Sequence, residues 1–329
     1  MITVAGRVGQ ALLTLLGAAV FVFALLVLAP GDPARRVLNA RGVQDPSPAA
    51  VAALRDELRL EDPVPLRFWH WLTGLLHGDL GLSWRTGRPV ADEFLLRLPA
   101  TAILTVTALA LSVAMALLLA LAAAARPGGW PDHVGRWISL VLLVVPGFLV
   151  GVLALDVLVV RMGLGRVISD GSWSTVLLPA LVLALGSAAT WSRVLRAGLL
   201  DAGSASYLRV SAARGASVAR RLLVHQLPNA IPAFLTMVGL GTAALLGGAP
   251  IVESVFTWPG IGRYTVQAIE ARDMPVVVGY TMLAVLVYVL ASLVVDLLNA
   301  AVDPRLRRPA ASWRRRSTAA STPEPVEAR

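Results

Sequence analysis

The chain has 329 residues, of which 57% are hydrophobic and 15% are charged, whereas a soluble globular protein has about 45–50% apolar and about 25% charged residues. The formal charge is +9, every one of the 29 basic residues is arginine, and cysteine is absent. This composition indicates a membrane protein, and it excludes disulfides, thiolate metal sites, cysteine nucleophiles and the lysine of a phosphate-binding P-loop.

Six segments are long and apolar enough to cross a bilayer, which takes about 20 mainly apolar residues. They are Gly9–Ala29, Ala100–Ala125, Trp137–Val160, Ser174–Ser192, Ala230–Val252 and Val276–Ala300. Pro146 and Pro179 lie inside the third and fourth segments and predict a kink in each, because proline has no backbone N–H to donate. The first segment is longer than the apolar core of a signal peptide, about 7–15 residues, so we expect it to be retained.

The distribution of arginine predicts the orientation of these spans, since cytoplasmic loops carry the excess of positive charge. Six spans place both termini on one side, and the segments on that side hold 16 of the 29 arginines. The two short segments of the opposite side, 161–173 and 253–275, hold only four. Both termini are therefore predicted to be cytoplasmic.

The segment 30–99 follows the first span and is too long for a simple connection, so it predicts a small folded cap on the outer side. Ser47 begins a helical pattern that runs to Leu60. An aromatic, amphipathic stretch follows in which His70 and His77 are seven residues apart. A metal relay is one interpretation of these histidines, but histidines without carboxylate neighbours are more typical of an interfacial helix.

The longest segment on the cytoplasmic side, 193–229, has the pattern of two short helices joined by a tight turn. Gly215 suits a left-handed residue that ends the first helix, and Ser217 suits the N-cap of a second helix over 218–226. An ordinary amphipathic helix at the membrane surface is the alternative.

The last outer segment, Glu253–Pro275, mixes aromatic residues and charges with three backbone breakers, Pro259, Gly260 and Gly262. A re-entrant or gate element is one interpretation, since irregular backbone is tolerated at membrane depth where it lines protein or water. A packed surface loop is the other.

Several motifs resemble those of ABC importer permeases. Gly215, followed by nine residues and His225-Gln226-Leu227-Pro228, resembles the signature loop of that family, and the preceding Tyr207–Arg214 is similar to its peptide/nickel branch. Further similar motifs are Pro30–Pro33, Gly78–Gly81 with Ser83, Arg97–Thr101, Glu253–Arg263, Arg272–Pro275 and Asp296–Arg305.

The resemblance implies an all-α integral membrane protein with six transmembrane helices, a type I ABC importer permease-like fold and an extracytoplasmic cap after the first helix. The implied division of the chain is as follows: the N-terminus and first helix, 1–29; the cap, 30–99; the transmembrane core, 100–308, with its coupling loop, 193–229; and a cytoplasmic tail, 309–329. The tail resembles nothing in the family, and its composition predicts disorder.

The resemblance also implies a function in the bacterial plasma (inner) membrane: a permease subunit that forms half of a translocation pore. The implied partners are a second, homologous permease, two cytoplasmic ABC ATPases and an extracytoplasmic solute-binding protein. The chain itself would be no enzyme, and no cofactor, metal or nucleic acid is expected. Substrates of this branch are dipeptides, oligopeptides and nickel chelates. The motifs lean slightly to nickel, which would have to cross as a chelate because the chain has no cysteine and its spans are not rich in histidine.

Two groups of candidate site residues follow from the resemblance. The ATPase-coupling group comprises Tyr207, Arg209, Ala212, Ala213, Arg214, Gly215, His225, Leu227, Pro228 and Asn229. The outer-loop or gate group comprises Glu253, Phe256, Trp258, Pro259, Gly260, Gly262 and Arg263.

Two alternatives complete the sequence-based interpretation. An ion-gradient-driven secondary transporter usually carries charges at mid-membrane, whereas Asp156 and Asp296 lie near the ends of their segments, which disfavours that class. The fifth span has glycines at positions 239, 241, 247 and 248, and small residues let helices approach closely in lipid. These glycines pack either against the partner permease or against other helices of this chain.

Overall fold

The computed structural model describes residues 4–28, 31–163 and 169–302. Within these ranges the chain is predominantly helical and forms no strand. The helices are α1 (Val4–Leu28), α2 (Pro33–Ala40), α3 (Pro48–Glu57), α4 (Val64–Leu76), α5 (Val90–Ala125), α6 (Trp130–Val144), α7 (Gly147–Ala154), α8 (Leu177–Gly203), α9 (Ser206–Ala213), α10 (Val218–Arg220), α11 (Leu227–Val255), α12 (Ile261–Glu270) and α13 (Met274–Val302). The predicted tail 309–329, Pro30 and the end of the last motif lie outside the described residues.

The predicted all-α membrane fold is confirmed. Five helical stretches of the described chain are long and apolar enough to span a bilayer: Gly6–Leu28, Val90–Ala125, Leu177–Gly203, Val218–Val255 and Met274–Leu298. They correspond to five of the six predicted spans. The second begins at Val90, within the predicted cap, because its helix continues through Pro99.

The third predicted span is not one continuous helix. It consists of α6 and of Gly147–Arg161, which are bent by 101° relative to each other. Pro146 lies at the break, and Val145 before it is extended (φ −77°, ψ 122°), as expected for a residue that precedes proline. The 15 residues of α6 extend only about 22 Å, less than the roughly 30 Å of hydrocarbon, so α6 alone does not span the bilayer, and the bent pair is either a broken span or a re-entrant loop.

The kink predicted at Pro179 is wrong, and the reason is its position. Pro179 is the third residue of α8, where the backbone N–H of a helix has no intrahelical acceptor. Proline is therefore accommodated in this first turn without breaking a hydrogen bond.

A proline inside α11 does leave a carbonyl free. Pro250 lies within that helix and cannot donate to the carbonyl of Leu246, four residues earlier. The hydroxyl of Tyr280 in α13 donates a hydrogen bond to this carbonyl at 2.8 Å. A side chain of a neighbouring helix thus satisfies the acceptor that the proline frees, which a membrane interior requires.

The core of the bundle is the contact between α5 and α8, where small residues recur every four positions. Buried Ala108, Ala116 and Ala120 lie along α5, and Ala180, Ala184 and Ala188 lie along α8. Ser112 donates a hydrogen bond across the contact to the carbonyl of Ala184 at 3.2 Å. Small side chains let the two backbones approach closely, which favours packing in lipid, where the hydrophobic effect gives no driving force.

The segment between α1 and α5 is folded around its own small core. Ser47 caps α3 through a hydrogen bond from the backbone N–H of Ala50, as predicted, and buried Ala34, Val37 and Leu54 pack together. The segment rests on α1, where the ring of Trp71 lies 5.5 Å from that of Phe23.

The two histidines of this segment have separate protein contacts. His70 Nδ1 lies 3.3 Å from Arg59 Nη1, and His77 Nδ1 lies 2.7 Å from the carbonyl of Thr73. The described residues contain no group of three potential ligands that includes them.

Three of the four glycines of the fifth span pack against helices of this chain. A Cβ atom would lie 2.6 Å from Val295 at Gly239, 2.3 Å from Trp191 at Gly241 and 3.1 Å from Leu183 at Gly248. Only at Gly247 does a Cβ atom meet nothing within 4 Å. Internal packing therefore explains the glycines at 239, 241 and 248, and Gly247 alone faces open space.

Candidate functional site

Residues 206–226 form a compact helical hairpin, which we call the glycine hairpin. α9 ends at Ala213, and Gly215 two residues later has a φ of +81°, in the left-handed region. The N–H of Gly215 donates to the carbonyl of Ala212, and that of Ala216 donates to Ser211. Ser217 then accepts a hydrogen bond from the backbone N–H of Arg220. The glycine C-cap and the serine N-cap predicted from the sequence are both confirmed.

The second helix of the hairpin continues into the fifth span instead of ending before it. α10 leads into a π-helical segment, Arg221–Gln226, and then directly into α11. The N–H of Leu227 reaches back five residues to the carbonyl of Leu222, next to Pro228, which has no N–H to donate. The hairpin is therefore joined to the membrane helix by continuous helical backbone.

Three predicted coupling residues meet where the hairpin contacts the base of α11. The rings of Tyr207 and His225 lie 6.2 Å apart and nearly perpendicular. The side-chain amide of Asn229 donates to the carbonyl of His225 at 2.7 Å and lies 3.5 Å from the hydroxyl of Tyr207. These contacts hold α9 against α11.

The outward surface of the glycine hairpin is basic and contains no acidic residue between positions 206 and 226. Arg209, Ala212, Ala213, Arg214 and Gly215 are all exposed, and so is Arg220. Pro228 is exposed as well, whereas Leu227 is half-buried against the core. The exposed, positively charged surface of the glycine hairpin suits the recognition of a protein surface with acidic residues.

The predicted outer-loop residues surround a carboxylate at the opposite end of α11. Glu253 is fully buried and accepts hydrogen bonds of 2.8 Å from the hydroxyl of Thr101 and from the backbone N–H of Arg263. The Thr101 hydroxyl in turn accepts from the N–H of Ile261 at 2.8 Å. We call Glu253, Thr101 and the loop backbone around them the Glu253 clamp.

Two glycines of this loop are needed because backbone and carboxylate approach closely. A Cβ atom at Gly260 would lie 2.3 Å from the Glu253 carboxylate, and one at Gly262 would lie 2.7 Å from the Cα of Pro250. Neither contact is possible for a side chain. The glycines thus allow the loop to wrap around Glu253.

Aromatic side chains anchor the same loop on α5. Trp258 is fully buried and its indole N–H donates to the carbonyl of Ala100 at 3.0 Å, and Phe256 is also buried. Arg263 donates to the carbonyl of Thr257 at 3.0 Å. Of the predicted gate residues, only Pro259 is exposed.

The two short loops at this end of the bundle touch each other. A Cβ atom at Gly171 would lie 2.9 Å from the ring of Pro259. Hydrogen bonds from Ser172 and Thr175 lower the pKa of the neighbouring Asp170 to about 2, so this carboxylate is ionised at any physiological pH.

Two adjacent cavities that share Thr190 lie along one face of α8, and we call them together the α8 groove. Its first part, about 670 Å3, lies against α7 and α11, and its second part, about 780 Å3, lies against α6. Thr190 lines both parts. The first part is lined mainly by small and apolar residues, among them Pro146, Leu183, Gly186, Ser187, Met237, Gly241 and Ile251.

Comparison with known proteins decides the family. Residues 116–308 match the family described as binding-protein-dependent transport system inner membrane component, and residues 2–105 match its N-terminal membrane component.

The chain belongs to this permease family.

Curated relatives extend over nearly the whole permease. The glutathione transport system permease protein GsiC of Pectobacterium atrosepticum is 37% identical over 294 residues, which cover 89% of this chain and 95% of the relative. GsiC proteins of Salmonella typhimurium and Escherichia coli K12 are each 36% identical over the same shares.

These matches confirm the predicted family and function: the chain is a multi-pass inner-membrane permease subunit of an ABC importer that works with a binding protein and an ATPase. They give no support to the alternative of an ion-gradient-driven secondary transporter, since the matched family is binding-protein-dependent.

Some residues that hold the permease's candidate sites together were not predicted. Buried Leu208 anchors α9, and buried Leu222 anchors the second helix of the hairpin. Asp273 is buried and accepts hydrogen bonds from the hydroxyl of Ser83 and the N–H of Trp84, which joins two of the quoted motifs. Both motifs are visible in the sequence, but they are far apart along the chain, so the contact between Ser83 and Asp273 could not be predicted from their spacing.

Proposed function

We propose that this permease forms half of a translocation pore with a second, homologous permease, and that the glycine hairpin is the site at which an ABC ATPase docks. The observation that carries the proposal is the hairpin itself. It is a capped, exposed helix pair joined without a break to a membrane-spanning helix. A rigid body of this kind transmits a displacement of its outer surface to the transmembrane bundle.

The proposed orientation puts both termini and the hairpin in the cytoplasm and the segment 30–99 outside, as a cap for the binding protein. The arginine distribution supports this orientation. The chain has no native cysteine, so single cysteines report it directly. Ala212→Cys in the hairpin and Ala52→Cys in the cap are both at exposed positions. In intact cells a membrane-impermeant maleimide should label Ala52→Cys only; labelling of Ala212→Cys alone would reverse the orientation.

The same Ala212→Cys variant tests docking. In the assembled complex a short bifunctional cross-linker should join this cysteine to the ATPase, and Ala52→Cys should give no such product. A cross-link from the cap cysteine and none from the hairpin would contradict the proposal.

ATP hydrolysis is proposed to belong to the partner subunits. The sequence has no lysine, and a P-loop uses one to reach the β- and γ-phosphates. The purified permease alone should therefore hydrolyse no ATP, whereas the complex should.

The proposed substrates are peptides. The compared relatives are named as glutathione permeases, and glutathione is a peptide. A nickel chelate is the second candidate and rests only on the sequence motifs. Competition between a labelled dipeptide and a labelled nickel chelate, in ATP-dependent uptake by the reconstituted complex, separates the two.

We further infer that the outer loop moves together with α5 during transport. The Glu253 clamp and the bond from Trp258 to Ala100 support a packed element rather than a free flap. Its proposed gating role would then depend on displacement of the whole packed unit.

A further inference from the structure

The second part of the α8 groove has an unusual balance of charge. Its lining includes three arginines, Arg136, Arg193 and Arg196. Among the described residues that line either part of the groove, none is Asp, Glu or His. The nearby carboxylate is Asp132, which is fully buried behind the lining.

Asp132 holds two of these arginines in place. Arg196 donates to both carboxylate oxygens, at 2.6 and 2.7 Å, and Arg136 also donates to both, at 2.9 and 3.4 Å. One negative charge thus faces two positive charges, and both guanidinium groups are fixed by charge-assisted hydrogen bonds.

Arg193 is different, because its guanidinium group forms no ion pair or hydrogen bond with another side chain among the described residues, whereas Arg136 and Arg196 both pair with Asp132. Its side chain is exposed and lies on the face of α8 that carries Thr190 and Ala197. The cluster of three arginines and one aspartate therefore keeps a net positive charge, and Arg193 is the cation free to meet a solute.

The position of Arg193 in the α8 groove allows its charge to act on a solute in the groove. Thr190 lies one helical turn before Arg193 and lines both parts, so the apolar first part and the arginine-lined second part are adjacent at this residue. A cleft with low-dielectric walls and charges of one sign concentrates solutes of the opposite sign. A bare cation or a positively charged chelate would be repelled at this end.

Resting on the proposed function, we propose that the α8 groove is the path of the transported solute, and that Arg193 at its hairpin end favours solutes with an excess of carboxylate groups, such as acidic peptides. This names the substrate class more narrowly than "peptide" and ranks a cationic nickel complex below it. Arg136 and Arg196 keep the surrounding field positive, and Arg193 contacts the solute.

The test compares two tripeptides that differ only in one side chain, glutamate or glutamine, in ATP-dependent uptake by the complete reconstituted complex. Arg193→Gln should lower the uptake rate for the glutamate peptide relative to the glutamine peptide by about tenfold, the lower end of the range by which a cleft of one charge sign raises local solute concentration and on-rates. Arg193→Lys should keep the wild-type ratio. Arg126→Gln, which removes an exposed arginine between α5 and α6, should also leave the ratio unchanged.

Because the binding protein is the same in every variant, its own preference cancels in these ratios. An equal fall for both peptides in Arg193→Gln, or an unchanged ratio, would contradict the role of Arg193 while leaving the proposed function intact. If the wild-type complex takes up neither peptide with ATP, the proposed peptide import fails, and this inference fails with it.

Discussion

Gly260 lies against Glu253 so closely that even a methyl group at position 260 would stand 2.3 Å from the carboxylate. The fully buried carboxylate is held by the hydroxyl of Thr101 and by the N–H of Arg263. The loop, α5 and α11 thus share one buried ionisable group, and its surroundings leave no space for a side chain.

Gly260→Ala is therefore expected to destabilise the permease clearly, by about 2–4 kcal/mol, the range for overpacking that also disturbs a buried polar group. The measurement is thermal unfolding in detergent, together with uptake by the complex. Gly247→Ala is the matched control, since a Cβ atom there meets nothing within 4 Å. Equal melting temperatures for the two variants would show that the loop adapts easily.

Thr101→Val keeps the shape of the side chain but removes the hydroxyl that bridges Glu253 and Ile261. Because both partners are buried, we expect a loss of about 1–3 kcal/mol. Thr105→Val is the control, as its hydroxyl bonds only to the carbonyl of Thr101 in the same helix. The prediction is wrong if thermal unfolding ranks Thr105→Val as the more damaging change.

Tyr280→Phe should leave the Leu246 carbonyl without a donor and reduce stability by about 1–2 kcal/mol. The control on the same helix is Tyr288→Phe. In the background of Pro250→Ala, a backbone N–H at position 250 can bond to this carbonyl, so the cost of Tyr280→Phe should shrink. If Tyr280→Phe lowers stability equally in both backgrounds, the Tyr280 hydroxyl does not compensate for the backbone N–H that Pro250 lacks.

The glycines of α11 should separate into two classes. Gly241→Leu should destabilise the isolated permease, because the new side chain meets Trp191. Gly247→Leu should leave the isolated permease stable and, if α11 faces the proposed second permease, reduce co-purification of that partner. Full retention of the partner by Gly247→Leu would exclude Gly247 from the interface.

Much of this architecture was predictable because it depends on local patterns. The length of the apolar segments predicted the membrane spans. Gly215 and Ser217 predicted the glycine hairpin, because a left-handed glycine and a serine N-cap are determined within a few residues. Family motifs supplied the candidate site residues.

What the sequence did not reveal depends on contacts between distant segments. The break at Pro146 was expected only as a kink, since the 101° bend depends on how the two halves pack. The internal contacts of Gly241 and the pairing of Ser83 with Asp273 involve residues on different elements, and no spacing along the chain encodes them. The same is true of the charge around Arg193, because Asp132 of α6 pairs with Arg196 of α8.

The most direct test of the central claim, that the glycine hairpin couples an ATPase to the pore, is substrate-stimulated ATP hydrolysis by the reconstituted complex with Gly215→Val. A Cβ atom at Gly215 meets no other atom within 4 Å, so the change acts through its backbone φ of +81°, which is unfavourable by about 1–2 kcal/mol for a residue with a side chain. Gly215→Asn, which tolerates this conformation better, should retain most activity. We expect that Gly215→Val inserts and assembles normally but loses substrate stimulation and uptake. Wild-type stimulation in Gly215→Val would contradict the central claim.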